Sequence, residues 1–362
     1  MGVPIIMDKK PKIIAFYLPQ FHPIPENDEW WGKGFTEWTN VGKARPLFPG
    51  HYQPRIPADL GYYDLRVPET REAQAQMARE AGIEGFCYWH YWFGNGKRLL
   101  ERPFNEVLES GKPDFPFCLA WANESWKGIH HGLSNRKVLI EQLYPGIDDY
   151  TKHFYTVLPA FMDTRYITVD DKPLFMIYKP LADTEVATFI KTWRELAKKN
   201  GLSGIYFVGQ CMDRDKIELY KKIDIDAINI VNHGEFLKHR NLILRILYRI
   251  YRIITRSPYI VSYKKAMRYF FDKNIDSRDN IIPAIISGWD HTPRSGRYGI
   301  ILNNYTPYLF QSHAQEVILN CSKTPNIIFL KSWNEWAEGN YLEPDLRWGK
   351  QYIEVLAKLI KG

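Results

Sequence analysis

Two glutamates three residues apart, Glu335 and Glu338, are the side chains in this chain whose type and spacing best suit chemistry. They sit in Trp333-Asn334-Glu335-Trp336-Ala337-Glu338-Gly339, directly after the apolar run at residues 327–330. A short apolar run rich in β-branched residues predicts a buried strand. Such a strand would deliver both carboxylates to the rim of a barrel or sheet. Paired carboxylates are what glycosidic-bond chemistry uses: one protonates the leaving oxygen, the other acts on the far side of the sugar. The adjacent tryptophans offer flat apolar platforms to the C–H faces of a sugar ring. The plain alternative is a solvated loop carrying two surface glutamates, and the rest of the chain weighs against it.

Positioning such a pair needs a scaffold, and the hydrophobic pattern supplies one. Apolar runs at residues 13–18, 85–89, 115–121, 174–178, 204–209, 227–231, 282–287 and 327–330 read as strands. Helix-period segments at 68–81, 100–110, 147–161, 184–199, 214–222, 306–322 and 346–360 read as helices, several stopped by Gly. Strands alternating with helical sequence predict a parallel sheet with crossover helices. Eight such units predict an α/β fold, a (β/α)8 TIM barrel, as a single domain over residues 1–362 with long βα loops. A doubly wound open sheet is the runner-up. It would more naturally carry a glycine fingerprint after the first strand, where this chain has Pro19-Gln20-Phe21-His22-Pro23.

In such a barrel the active site is built at the C-terminal strand ends, so those ends nominate the site. The loop after the first strand is nearly fifty residues long and rich in aromatics, which suits a substrate-binding lip; Tyr17 at the end of that strand and His22, Trp31, Glu37 and Trp38 in the loop are candidates. The second strand ends in Trp89-His90-Tyr91-Trp92, and His90 and Trp92 are expected to face substrate. After the third, Trp121-Ala122-Asn123-Glu124-Ser125-Trp126 repeats the Asn-Glu beside tryptophans, nominating Trp121, Asn123, Glu124 and Trp126. Glu124 is an alternative partner for Glu335. After the seventh, Asp290 and Arg294 either bind sugar hydroxyls or pair structurally; after the eighth, Asn334 and Trp336 flank the catalytic candidates.

Composition excludes several other classes. The 25% charged and 45% hydrophobic content is that of a globular domain. The four cysteines show no CxxC spacing, and neither HExxH nor GxxxxGK[ST] occurs, so no metal and no cofactor is expected. His130-His131 is a bare pair, and Asp224-Ile225-Asp226 is a weak metal–nucleotide signal. Residues 1–12 lack the apolar core of a signal peptide, so a cytoplasmic protein is expected. The basic segment 238–273 stands apart. Arg245, Arg249, Arg252 and Arg256 share one helical face, Leu, Ile and Tyr fill the rest, and no Asp or Glu occurs from 236 to 271. That pattern suits peripheral contact with an anionic membrane at its inner face; the alternative is a barrel helix packing its apolar side on the core. No nucleic-acid partner is expected, because no recognition motif accompanies the charge.

The series Ala15-Phe16-Tyr17-Leu18-Pro19-Gln20-Phe21-His22, Trp31-Gly32-Lys33-Gly34-Phe35-Thr36-Glu37-Trp38, Gly85-Phe86-Cys87-Tyr88-Trp89-His90, Trp121-Ala122-Asn123-Glu124, Gly288-Trp289-Asp290 and Trp333 to Gly339 closely resembles the WbsX family. These are glycosyltransferases of bacterial surface-polysaccharide clusters, similar to glycoside hydrolase family 99. The resemblance implies a (β/α)8 barrel with no metal for chemistry, acting on an oligosaccharide or lipid-linked glycan with retention. It implies that Glu335 deprotonates a sugar 2-hydroxyl and that Glu338 is the general acid/base. The usual retaining scheme has a carboxylate attack the anomeric carbon instead, and the spacing of Glu335 and Glu338 does not choose between that route and the 2-hydroxyl route. Transfer in O-antigen or capsule biosynthesis and endo-α-mannosidase-like cleavage both follow from the resemblance.

Overall fold

A computed structural model describes residues 10–128, 137–239 and 241–361. His130-His131 and residues 1–9 lie outside them, so the expectations placed on those stretches do too. Among the described residues, eight parallel strands close into a barrel: β1 (Lys12–Tyr17), β2 (Gly85–Trp92), β3 (Phe117–Trp121), β4 (Lys172–Ile177), β5 (Tyr206–Cys211), β6 (Ala227–Ile230), β7 (Ile281–Ile286) and β8 (Ile327–Lys331). Each pairs with its neighbours in chain order, and β1 closes the ring by pairing with both β8 and β2. Ile14 thus lies opposite Phe329 on one side and Gly85 on the other.

The crossover helices form where the sequence pattern asks for them. Pro68–Ala81 starts with Pro at its first turn and ends at Gly82, whose φ of 80° is left-handed. Glu185–Lys199 buries Val186, Phe189, Ile190, Trp193 and Ala197, one stripe at helical spacing. Phe189 and Trp193 are fully buried, and truncating either is worth about 3–5 kcal/mol. The Asp170-Asp171 turn, with both φ positive, joins a short strand to β4 as a hairpin.

Alternation along the strands decides which side chains can reach a ligand, because neighbours point to opposite faces of the sheet. On β1, Phe16 faces the barrel axis and stacks 4.9 Å from both Trp89 and Phe329. Tyr17 therefore faces outward, and its hydroxyl donates to Gln74 of the Pro68–Ala81 helix at 2.6 Å. On β2, Trp89 and Tyr91 face in, while Tyr88, His90 and Trp92 face the helices.

Three segments depart from the sequence pattern. Residues 214–222 form a 3-10 turn and one short helix, and the last helix begins at Gln351. The Asp224-Ile225-Asp226 carboxylates pair with Arg194, at 3.0 Å for Asp224 and 2.9 Å for Asp226. They precede β6, at the end of the barrel remote from the βα loops. The arginine-striped helix Leu242–Thr255 does not pack its apolar side on the core: Leu242, Ile243, Ile246, Leu247, Ile250, Ile253 and Ile254 are exposed. No helix among the described residues is long and apolar enough to cross a membrane.

Candidate active site

The chain past β8 forms a small hairpin that presents the two glutamates. Asn334–Glu335 pairs with Asn340–Tyr341, and a 3-10 turn over Trp336–Glu338 links them. Asn334 sets its register. Its side chain accepts from the Leu18 amide at 2.7 Å and donates to the Leu18 carbonyl at 3.0 Å, clamping the turn to the end of β1. Trp336 is a prop as well, donating to Glu343 at 2.6 Å and stacking on Tyr341 at 3.9 Å. Gly339 closes the turn with φ 58°, and a Cβ there would lie 2.8 Å from the Cβ of Asp290.

Arg294 holds the centre. One guanidinium nitrogen donates to Glu338 at 2.6 Å, and two others reach Glu37 at 3.1 and 3.0 Å. A longer 3.5 Å contact reaches Glu335. Lys331 lies 3.9 Å from Glu338 and His291 lies 4.0 Å from it. These neighbours push the two carboxyls apart. Burial raises Glu335, the charge of Glu338 adds to that, and the result is about 7. Burial would raise Glu338 too, but Arg294, Lys331 and the nearby histidines outweigh it and hold the carboxyl down at about 2. Two adjacent carboxyls with separated affinities for one proton are the arrangement that acid–base catalysis at a glycosidic bond requires.

A cleft of about 330 Å³ opens above this cluster. Glu335, Glu338, Arg294, His291 and Lys331 form its charged side. Trp89, Tyr91, Trp126 and Tyr178 give it aromatic walls, and Glu124, Ser125 and Lys179 line the opposite rim. Glu124 and Lys179 are paired at 2.5 Å. Aromatic walls with a few convergent polar groups are what a sugar-sized ligand needs. Among the described residues no cluster could hold a metal ion.

Of the residues nominated by sequence, the fold brings Glu335, Glu338, Arg294, Glu124 and Trp126 to the cleft, with Glu37 buried behind Arg294. The others are displaced from it for identifiable reasons. Tyr17, His90, Trp92 and Trp121 point outward by strand alternation. His90 meets His153 at 2.7 Å, Trp92 donates to Asp149 at 2.9 Å, and Trp121 donates to the Trp92 carbonyl at 2.9 Å. Asn123 ties the β3 loop to the Lys179 backbone in both directions, at 2.9 and 2.8 Å. Asp290 is committed to the protein: His51 and Gln53 each donate to it at 2.8 Å, Thr292 donates through its hydroxyl at 2.6 Å, and Arg55 lies 3.4 Å away. Burial opposes the Asp290 charge, but the His51 hydrogen bond and the Arg55 charge prevail and hold its carboxyl below the usual range. His22 is buried against the Pro19 carbonyl at 3.0 Å; Trp31 stacks on Phe35 at 4.8 Å, and Trp38 donates to the Tyr63 carbonyl at 2.7 Å. These three support the first loop away from the cleft.

The sequence reading passed over Trp89, Tyr91, Tyr178, Lys179, His291 and Lys331 as cleft residues. It also missed Glu343, a buried carboxyl raised to about 7 by burial, which accepts from Trp336, Gln74 and Tyr63 and anchors the hairpin from beneath. Trp89 and Tyr91 share one phase of β2, and Tyr178 continues the inward phase of β4, so a period-two count on each strand finds them once that strand's inward phase is known.

The glycosyltransferase WbsX family matches residues 13–356, which is nearly all of the chain. The chain belongs to the WbsX family. That family is described as glycosyltransferases, which places the chain among the carbohydrate-active enzymes. It is 35% identical over 350 residues to proteins named "Uncharacterized protein WxcX" from two strains of Xanthomonas campestris pv. campestris. The alignment covers 94% of this chain and 48% of those proteins, so the chain spans about half the length of these relatives. Among solved structures, a glycoside hydrolase-like protein superposes with a TM-score of 0.60 at 15% identity, covering 99% of this chain and 97% of that one. The GH99 endo-alpha-mannosidase from Bacteroides thetaiotaomicron superposes with a TM-score of 0.58 at 15% identity, covering 96% of both chains. At that identity these two likenesses speak to the barrel fold.

Proposed function

We propose that this WbsX-family barrel is a glycosyltransferase acting with retention on a lipid-linked or nascent surface polysaccharide, O-antigen or capsule, at the cytoplasmic face of a membrane. The observation that carries the reading is the Glu335–Glu338 pair, split in proton affinity and set beside an aromatic cleft. In the free site the exchangeable proton rests on Glu335, and Glu338 is ionised between Arg294 and Lys331. The roles implied by the resemblance need the opposite: Glu335 charged toward the 2-hydroxyl and Glu338 carrying the proton for the leaving oxygen. Binding reconciles the two. Sugar hydroxyls that take hydrogen bonds from Arg294 and Lys331 weaken their hold on Glu338, whose affinity for a proton then rises as Glu335 gives its own up. The leaving oxygen then takes its proton from Glu338, while the 2-hydroxyl proton passes to Glu335 as its oxygen closes on the anomeric carbon. An acceptor hydroxyl then attacks the anomeric carbon and gives its proton to Glu338, while the bond from that carbon to the 2-oxygen breaks and Glu335 returns its proton to the 2-oxygen.

The fold shared with an endo-alpha-mannosidase favours a second reading, in which water is the acceptor and the chain cleaves an α-mannoside-containing glycan. Mass spectrometry of a lipid-linked oligosaccharide pool, incubated with nucleotide sugars and either wild type or Glu338→Gln, separates the two. Glycans that lengthen with wild type alone establish transfer. Glycans that shorten and release a free reducing fragment establish hydrolysis. A pool unchanged by wild type and variant alike removes both readings.

A further inference from the structure

We infer that the helix Leu242–Thr255 is an interfacial anchor that docks the βα-loop end of the barrel onto an anionic lipid surface. The helix is held to the protein by one side. The Tyr248 hydroxyl donates to the Ile260 carbonyl at 3.1 Å and accepts from the Ile260 amide at 2.9 Å. The Arg252 guanidinium donates to the Ser257 carbonyl at 3.3 Å and lies 5.2 Å over the Tyr259 ring. At roughly 100° per residue, Ile243, Ile246, Ile250 and Ile254 fall on the side opposite Tyr248 and Arg252. The apolar face therefore points away from the body of the protein. Leu242, Ile243, Ile246, Ile250, Ile253 and Ile254 are between 49% and 76% exposed. A contiguous exposed aliphatic face of this kind marks an interaction surface.

Charge decides what covers it. Arg245, Arg249 and Arg256 run along one flank of the apolar face, all exposed, with no ion pair among the described residues. Residues 236–271 hold no Asp or Glu, and the chain as a whole carries +7. A second copy would bring the same positive flank against this one. An anionic bilayer brings the opposite charge and an apolar layer into which the aliphatic face can sink. A helix with an arginine flank and a bulky aliphatic face lies in the headgroup plane.

The mounting relates this surface to the cleft. After the helix, Tyr259–Ser262 pairs in parallel with Ile300–Asn303, and Phe236, Val261, Tyr263, Phe270 and Leu302 pack on Ile286 at the C-terminal end of β7. Leu302 donates to the Trp289 carbonyl at 2.8 Å, in the loop that carries Arg294. The anchor thus stands at the end of the barrel where the cleft opens, and a docked protein presents that end to lipid-borne substrate. The inference does not depend on the reaction assigned above.

Co-sedimentation of the full chain with phosphatidylglycerol-containing vesicles and with pure phosphatidylcholine vesicles tests it. Two variants accompany wild type: Ile246→Glu/Ile250→Glu/Ile253→Glu, and Arg245→Gln/Arg249→Gln/Arg256→Gln. All six side chains are exposed, so both variants are expected to melt at the wild-type temperature. The expected result is binding to the anionic vesicles that falls more than a hundredfold in the arginine variant, at roughly fivefold per charge, and is lost in the glutamate variant. Wild type that stays in the supernatant with anionic vesicles overturns the proposal. So does equal sedimentation of wild type and both variants. A wild-type dimer by light scattering that the glutamate variant abolishes, with no vesicle binding, assigns the face to a second copy instead.

Discussion

Replacing Glu335 with Gln is expected to raise stability in alkali and leave it unchanged in mild acid. The folded protein keeps this carboxyl protonated up to about 7, against an ordinary value of 4.5. Between those values the folded chain holds a proton that the unfolded chain has released, so stability falls as pH rises across that window. The gap is worth about 3 kcal/mol at ~1.4 kcal/mol per pH unit. A chain of 362 residues unfolds with an entropy of about 0.76 kcal/mol/K, so 3 kcal/mol moves Tm by about 4 °C. Glutamine cannot ionise and so escapes the cost. Glu338 has the opposite sign. Its carboxyl is held at about 2, so its contribution is lost as pH falls from 4.5 toward that value and is fully present above 4.5. Glu338→Gln therefore loses about 3 kcal/mol at every pH above about 5. The assay is thermal unfolding of wild type and both variants at pH 5 and pH 8.5. Glu335→Gln should match wild type within about 1 °C at pH 5 and exceed it by about 4 °C at pH 8.5. A Glu335→Gln protein that melts at or below wild type at pH 8.5, while matching it at pH 5, refutes the placement of the proton on Glu335.

Glu37→Gln removes a buried charge that helps to raise Glu335, so the alkaline decline in Tm and in turnover should both begin at lower pH; potentiometric or stability profiles of the two proteins check this. Tyr91→Phe deletes a hydroxyl facing the cleft and should weaken glycan binding two- to tenfold by calorimetry. His90→Ala, one residue away on the outer face, should leave binding unchanged while costing about 2–3 kcal/mol in denaturant unfolding, because it orphans His153. Asp290→Asn takes a full charge from between His51 and Arg55 and should cost about 3–5 kcal/mol, read as a drop in Tm of about 4–7 °C.

Periodicity was enough to reveal the barrel because most strands are continuous apolar runs and most crossovers carry their own start and stop. Pro68 and Gly82 bracket one helix with no help from tertiary structure. The carboxylate pair was legible for a similar reason: it is local, on one turn, beside its own strand. The cleft walls were less so. In Trp89-His90-Tyr91-Trp92 every residue type could bind a sugar, and composition does not say which alternate pair faces in. That phase is set by the pairing of β2 with β1 and β3, a contact between segments far apart in sequence. The commitments of Asp290 and Asn334 were hidden likewise, since His51, Gln53 and Leu18 lie some 240 and 316 residues away along the chain. The basic helix was legible as an amphipathic helix; that its apolar side turns outward depends on Tyr248 and Arg252 being spent on the protein.

Charge balance links these placements to the chemistry. Arg294 and Lys331 stand among three carboxyls, Glu37, Glu335 and Glu338, with His291 4.0 Å from Glu338. Glu338 has the closest contact to Arg294 at 2.6 Å, and Glu37 has two of its nitrogens at 3.1 and 3.0 Å; Glu335 has the 3.5 Å contact. The proton settles on Glu335 because burial raises it, the Glu338 charge adds to that, and its contact to Arg294 is too long to offset them. When Glu335 ionises, its charge stands beside that of Glu338 in a buried setting, which is costly in the free protein and favourable once positive charge develops on the sugar ring in an oxocarbenium-like transition state. Glu37 is buried behind Arg294, yet its charge adds to the rise of Glu335. The long first loop that carries it is thereby part of the acid–base machinery, through Arg294.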